Sequence, residues 1–196
     1  MADEKLIFVL SGGGSRGAMQ VGALQALKDR GYEPDLMIGT SIGAVNSAFI
    51  AIHSFSQDSL DRLVIAWKEG SGLDLLPFNY FWLAMRSIFR NSANDPSHKI
   101  REFIKKQGMS EDLVFGSLQK PGLIVVSAEI ETGHPTLHGL QPDENILDAL
   151  LLSTALPPWV MPVKKQTGCI WTGLQSATCR LRLPWRWVPV ALLPWT

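Results

Sequence analysis

Two glycine-flanked stretches near the start of the chain carry the residue types of acyl-transfer chemistry. Gly39-Thr40-Ser41-Ile42-Gly43 fits G-x-S-x-G, the pattern in which a sharp turn from strand to helix lifts a serine hydroxyl above a sheet. Ser41 is the candidate nucleophile. Gly39 and Gly43 are the elbow glycines, suited to a turn in which larger side chains would collide. The following helix points its free N–H groups and positive dipole end at whatever the serine attacks. Upstream, Ser11-Gly12-Gly13-Gly14-Ser15-Arg16-Gly17 makes a second loop. Acyl transfer develops negative charge on the former carbonyl oxygen, and each aligned backbone N–H that meets it is worth about 3 kcal/mol in other enzymes. Gly12, Gly13 and Gly14 let the main chain approach that oxygen without a Cβ in the way, so they are the candidate oxyanion hole. Arg16 adds a positive charge there or braces the loop through an ion pair.

The elements that must position these loops can be read from the apolar pattern. Lys5 to Leu10 is a continuous apolar run of strand length, as expected for a parallel strand buried on both faces. Met19, Val21, Leu24 and Leu27 recur at helical spacing, and Gly31 sits where a C′ glycine belongs. Asp35 to Ile38 is the second strand and ends in the elbow; Ala44 to Ile52 is the helix after it. This order makes a right-handed βαβ unit the default and puts both loops at the carboxyl ends of their strands, where open α/β sheets bind ligands. Further on, Leu60, Leu63, Val64 and Trp67 share one helical face, and Ile100, Phe103 and Ile104 share another. Between them, Leu75 to Phe89 is rich in Phe, Trp, Tyr and Leu: a lipid-facing lid, a cleft wall or, as such stripes usually are, core packing. Gly122 to Glu129 is a third strand, Thr132-Gly133 a turn, and Thr136 to His138 a short partner strand. Asn145 to Leu156 is an apolar helix ended by Pro157-Pro158.

Composition bounds the function classes. The 196 residues are 46% hydrophobic and 18% charged with zero net charge, which describes a globular chain of one domain and gives no global attraction to nucleic acid or anionic lipid. The two cysteines, Cys169 and Cys179, read as reduced thiols rather than a disulfide framework. The acidic start, Met1-Ala2-Asp3-Glu4-Lys5, makes a poor signal peptide. No apolar run approaches the roughly 18 residues of a membrane span. The expected setting is cytoplasmic or peripheral to a membrane. Gly12-x-Gly14-x-x-Gly17 also satisfies the dinucleotide fingerprint, which needs an acid at the carboxyl end of the second strand. Asp35 lies at the opposite end of that strand, which counts against a dinucleotide cofactor.

Taken together, Gly-Gly-Gly-Ser-Arg-Gly at 12–17 and Gly-Thr-Ser-Ile-Gly at 39–43 resemble the patatin-like phospholipases. Ser127-Ala128-Glu129 with Glu131-Thr132-Gly133, and Ser153-Thr154-Ala155-Leu156-Pro157, agree with the same family. The resemblance covers Lys5 to Lys165 and sets a domain at 5–165, followed by an atypical tail at 166–196. It implies a three-layer α/β/α fold with a mostly parallel sheet, and hydrolysis of lipid acyl esters by a Ser–Asp dyad. Ser41 would be the nucleophile and the backbone around Gly13 and Gly14 the oxyanion hole. No metal or organic cofactor is implied.

The second member of the dyad is where the sequence departs from that family. The expected aspartate belongs to an Asp-Gly-Gly or Asp-Gly-Ala motif beyond the Ser-Thr-Ala-Leu-Pro helix, but neither Asp nor Glu occurs after Asp148. His53, His98, His134 and His138 all precede the place where a triad histidine would fall. Composition also breaks near Lys165. Trp171, Trp185, Trp187 and Trp195 lie beyond it with three prolines and three arginines, and no folded layer is evident across Thr178 to Thr196. One hypothesis unites these facts. Ile170-Trp171-Thr172-Gly173 can be encoded ATA TGG ACG GGN, and reading from the third letter gives ATG GAC GGG, or Met-Asp-Gly. A one-nucleotide frameshift between Lys165 and Cys169 would then have replaced the native end, with the expected acid at Trp171/Thr172 in the shifted frame. A shifted frame with an early stop, or without Asp-Gly codons, would end this idea. Two consequences are expected of the chain as written: little or no esterase activity, and poor solubility from a sheet edge left uncovered. The rival readings are a non-catalytic lipid-binding module and a membrane-active Trp/Arg/Pro tail.

Overall fold

The computed structural model describes residues 5–71, 96–129, 132–155, 163–165, 168–172 and 187–190. Its sheet begins with β1 (Ile7–Leu10), which leads through the glycine loop into helix α1 (Gly17–Asp29). The helix closes as its sequence predicts, with Gly31 N–H donating to Lys28 O and Tyr32 N–H to Leu27 O. Strand β2 (Leu36–Thr40) runs parallel to β1, Ile7 beside Leu36 and Leu10 beside Gly39. Helix α2 (Ile42–His53) follows directly, then α3 (Gln57–Ser71), α4 (Pro96–Lys106), β3 (Gly122–Glu129), β4 (Pro135–His138) and α5 (Ile146–Thr154). Asn145 caps α5 by accepting from Asp148 N–H at 2.9 Å. The α/β class and the mostly parallel character of the main strands are those expected.

Strand alternation sorts the apolar residues between two faces. Phe8, Leu10, Met37, Leu123 and Val125 belong to one large buried cluster, joined by Val21 and Leu24 of α1, Ala44 to Ala51 of α2, Leu60 and Leu63 of α3, Ile104 of α4 and Ile146 to Leu150 of α5. Each such side chain taken fully from water contributes about 1.5–3 kcal/mol. Ile7, Ile38 and Val126 form a smaller cluster on the alternate positions. The apolar face shared by Leu60, Leu63, Val64 and Trp67 therefore faces core, as expected. Leu75 to Phe89 and Pro157-Pro158 lie outside the described residues.

The far end of the chain contains more strand than its composition suggested. Strands β5 (Val163–Lys165), β6 (Gly168–Thr172) and β7 (Trp187–Val190) all join the sheet, whose order is β5-β6-β3-β2-β1-β7, with β4 on β3. β7 pairs parallel with β1, placing Pro189 opposite Val9. The expectation of no folded layer beyond Thr178 is corrected here, since Trp187–Val190 is a strand of the sheet. The run Trp187-Val188-Pro189-Val190 is short and β-prone, and an edge strand tolerates a proline that cannot donate. Cys179, Trp185 and Trp195 lie outside the described residues. No helix among the described residues is long and apolar enough to cross a membrane.

Candidate active site

Ser41 stands between the last residue of β2 and the first of α2, at φ 54° and ψ −124°. A non-glycine residue in this region is strained by about 1–3 kcal/mol. The strain is held by close backbone packing on both sides. A Cβ on Gly39 would lie 2.4 Å from Ala44 Cα, and one on Gly43 would lie 2.3 Å from Leu10 O and 2.5 Å from Ser11 O. Only glycine lets the first turn of α2 fold back on β2 and press against the end of β1. That second contact brings the elbow against the start of the glycine loop. The Ser41 carbonyl accepts from Ala44 N–H at 2.9 Å and Val45 N–H at 3.2 Å, opening the helix.

The glycine loop turns through Gly14 at φ 56°, in the left-handed region, and a short 3-10 turn over Gly14–Arg16 carries it into α1. Among the described residues no backbone acceptor meets the amides of Gly12 and Gly13. Arg16 is exposed, and no carboxylate among the described residues pairs with it. The bracing expected of Arg16 falls instead to a buried carboxamide network that sequence reasoning did not find. Gln20 donates to Ser11 O at 2.7 Å, at the loop's start. Asn46 of α2 donates to Gly17 O at 3.0 Å, at its end, and to Gln20 Oε1 at 2.9 Å. Trp67 Nε1 completes the set by donating to Asn46 Oδ1 at 3.0 Å. Both ends of the loop are thereby tied to the helix that carries the elbow.

On the other side of the elbow, Ser153 of α5 is fully buried. Its hydroxyl accepts from Ser41 N–H at 2.8 Å and donates to Val126 O at 2.6 Å. The pairing of β3 shows what lies beyond. β2 and β4 both pair with Val125 and Val126, so they flank β3 on opposite edges. β4 and β6 both pair with Ser127 and Ala128, so β6 lies on the same edge as β2. β6 takes up β3 where β2 leaves it: Thr40 is level with Val126, and Thr172 with Ser127. The backbone at Thr172 is thus one register step beyond the end of β2, where Ser41 turns away, and Trp171 is two steps beyond.

The remaining candidates separate cleanly. Asp35 accepts from Leu6 N–H at 2.8 Å and pairs with Lys120 at 2.8 Å, at the amino ends of the strands, opposite the end that carries the glycine loop. Those two contacts, led by Lys120, hold its carboxyl below the ordinary value. His53 packs against Phe49 with ring centroids 4.6 Å apart and the planes tilted by 56°, and meets Gln107 O at 3.1 Å. His134 is exposed. His138 is buried between Ser127 (Oγ to Nε2, 2.8 Å) and Glu144 (Oε1 to Nδ1, 2.6 Å). Nδ1 faces the carboxylate and Nε2 the Ser127 hydroxyl, so both ring nitrogens have a polar partner. The residue types are those of a serine relay, but Ser127 is 0% and His138 1% exposed, and Ser127 lies inside an extended strand rather than on a turn. No substrate reaches it; the trio is a satisfied core network that ties β3 to the β4–α5 connection.

The patatin-like phospholipase family model matches residues 8–173, from β1 through the glycine loop, the elbow and α5 to the end of β6. The chain belongs to the patatin-like phospholipase family. The matched span closes just past β6, at the Gly173 that follows the position expected for the dyad acid. Among relatives, this patatin-like chain is 28% identical over 176 residues to the uncharacterized protein YqhO of Bacillus subtilis, covering 81% of this chain and 58% of that one. It is 44% identical over 71 residues to mouse patatin-like phospholipase domain-containing protein 7, covering 36% of this chain and 5% of that one. The crystal structure of VipD from Legionella pneumophila superposes with a TM-score of 0.51 at 18% identity, over 89% of this chain and 46% of that one, a likeness of fold. The chain spans less than two thirds of the length of these relatives. The motif signals in the sequence located the elbow and loop; Gln20, Asn46 and Trp67 gave none, because their partners are set by helix packing.

Proposed function

We propose that this patatin-like chain carries the site of a serine acyl hydrolase acting on lipid acyl esters, with Ser41 as nucleophile. The observation that carries the reading is the strained Ser41 at φ 54°, set at the carboxyl end of β2 with its helix packed against the glycine loop. In the proposed reaction Ser41 Oγ attacks the ester carbonyl carbon. The amides of Gly12, Gly13 and Gly14, with the charge of Arg16 nearby, stabilise the oxyanion. Collapse breaks the carbon–oxygen bond to the alcohol, which leaves with the serine's proton, and water then releases the fatty acid from the acyl-enzyme. Substrates are lipid or acyl esters, met through peripheral membrane contact; nucleic acid is not among the partners.

This reaction needs a base to take the Ser41 proton, and no Asp or Glu follows Asp148 in the sequence. Without it the hydroxyl is a weak nucleophile at neutral pH, and only the residual catalysis of oxyanion hole and binding remains. We therefore infer that the chain as written hydrolyses esters poorly or not at all. The backbone of Thr172 one register step beyond β2, and of Trp171 two steps beyond, supports the frameshift reading, since it brings the position of the expected acid to the carboxyl end of β2. A lipid-binding remnant without catalysis is the second reading, favoured by the same missing acid. Fluorophosphonate labelling separates the two: the chain as written should label Ser41 slowly, and a version carrying the shifted-frame Asp-Gly end should label it stoichiometrically. Fast labelling of the chain as written, lost in Ser41→Ala, would overturn the impaired-base reading. If the restored version also fails to label, Ser41 is not an activated nucleophile.

A further inference from the structure

We infer that Ser153 is a positioning residue for Ser41, resting on the reading of Ser41 as nucleophile. The argument starts from the two hydrogen bonds of one hydroxyl. A carbonyl oxygen only accepts, so the 2.6 Å contact to Val126 O fixes the Ser153 proton on that side. A lone pair of Ser153 Oγ then faces Ser41 N–H, which donates to it at 2.8 Å. Neither bond can reverse, and the hydroxyl has no rotational choice left.

The placement of this hydroxyl matches the place where the sheet is interrupted. Thr40 and Val126 are the last level pair of β2 and β3; beyond them Ser41 turns to positive φ and leaves the ladder. Ser153 joins the departing amide to the carbonyl of that last level, across 112 residues of sequence for the first bond and 27 for the second. The glycine contacts at 39 and 43 force the turn sterically, but they act on the residues either side. The Ser153 bond is the described contact made by the Ser41 amide itself, and it orients the peptide plane from which the Ser41 side chain projects. It also consumes that N–H, so the oxyanion is left to the glycine loop and the first turn of α2. Because Ser153 is 0% exposed, no water replaces the hydroxyl when it is removed.

The test reads Ser41 directly. Amide hydrogen exchange is measured residue by residue on the full chain, as written and as Ser153→Ala and Ser153→Thr. In the unaltered chain the Ser41 amide should exchange far more slowly than an exposed loop amide. Ser153→Ala should speed its exchange by roughly tenfold, the equivalent of one hydrogen bond, with Ile38 and Leu10 unchanged. Ser153→Thr, which keeps the hydroxyl, should restore protection. A general packing role would instead move Ile38 and Leu10 along with Ser41, and that result, or no change at Ser41, overturns the inference. Should Ser153→Ala not fold, rapid exchange at Ser41 in the unaltered chain overturns it by itself. Fluorophosphonate labelling of the version with the Asp-Gly end gives the functional arm, with labelling slowed in Ser153→Ala and recovered in Ser153→Thr. Selective loss of Ser41 protection without labelling in any version would sustain the positioning role and reject the nucleophile reading.

Discussion

Replacing Asn46 with alanine removes three hydrogen bonds from one buried site, and the cost can be worked group by group. Gly17 O loses the Asn46 donor at 3.0 Å but, as the first residue of α1, keeps its helical acceptor role, so its loss is small. Gln20 Oε1 loses the donor at 2.9 Å while Gln20 itself is 3% exposed, so it is left buried without a partner. That state costs about 1–3 kcal/mol. Trp67 Nε1 loses its acceptor at 3.0 Å but is only half-buried, and water recovers part of the loss. The sum is about 2–4 kcal/mol, a sizeable share of the ~5–15 kcal/mol that holds a domain folded. For a chain of this length that lowers the melting midpoint by about 5–15 °C. Urea unfolding of the unaltered chain, Asn46→Ala and Asn46→Leu measures it. Leucine fills the space yet leaves the same groups unpaired, so it should rescue little. Gln57→Ala, which breaks an exposed bond to Asp61, serves as control and should change stability by less than ~0.5 kcal/mol. Should Asn46→Ala cost under ~1 kcal/mol, or Asn46→Leu match the unaltered chain, the clamp between loop and elbow helix is not an energetic unit.

Two further expectations concern other parts of the fold. Gly43→Ala places a Cβ 2.3 Å from a main-chain oxygen, whereas at Gly22 in α1 a Cβ meets nothing within 4 Å. The first should cost about 3 kcal/mol or more in thermal or urea unfolding, and the second should add about 0.5–1 kcal/mol; equal effects would refute the close-approach account of the elbow. The Asp35 carboxyl, held below its ordinary 3.8 chiefly by Lys120 and then by Leu6 N–H, favours the fold when ionised. Its contribution is present above pH 3.8 and is lost as pH falls through the lower folded value. Because Lys120 is 66% exposed, the gain is under ~1 kcal/mol. The stability difference between the unaltered chain and Asp35→Asn should therefore shrink on acidification below pH 3.8 and be unchanged between pH 6 and 8.

Local patterns carried a large part of the fold. The apolar run Lys5 to Leu10, the helix spacing of Met19, Val21, Leu24 and Leu27, and the turn at Thr132-Gly133 each specify their element through nearest neighbours, and the elements formed where expected. Edges of elements moved by a residue or two: β2 extends to Thr40, because its pairing with β3 continues to Val126. The Trp187–Val190 strand was hidden from periodicity reading because four residues are too few to show a period, and pairing with β1 decides it.

The two glycine motifs and the serine between Gly39 and Gly43 belong to the sequence alone, since close approach and positive φ are demands that particular residues meet wherever the turn is placed. The missing acid is equally a property of the sequence. What holds Ser41 in place is not. Ser153 reaches it across 112 residues, Asn46 ties the loop to the elbow helix through Gln20 and Trp67, and β6 arrives beside the end of β2 only because β3 offers an edge that β2 has vacated. Those are contacts between distant segments, chosen when helices and strands pack together, and spacing along the chain carries no trace of them.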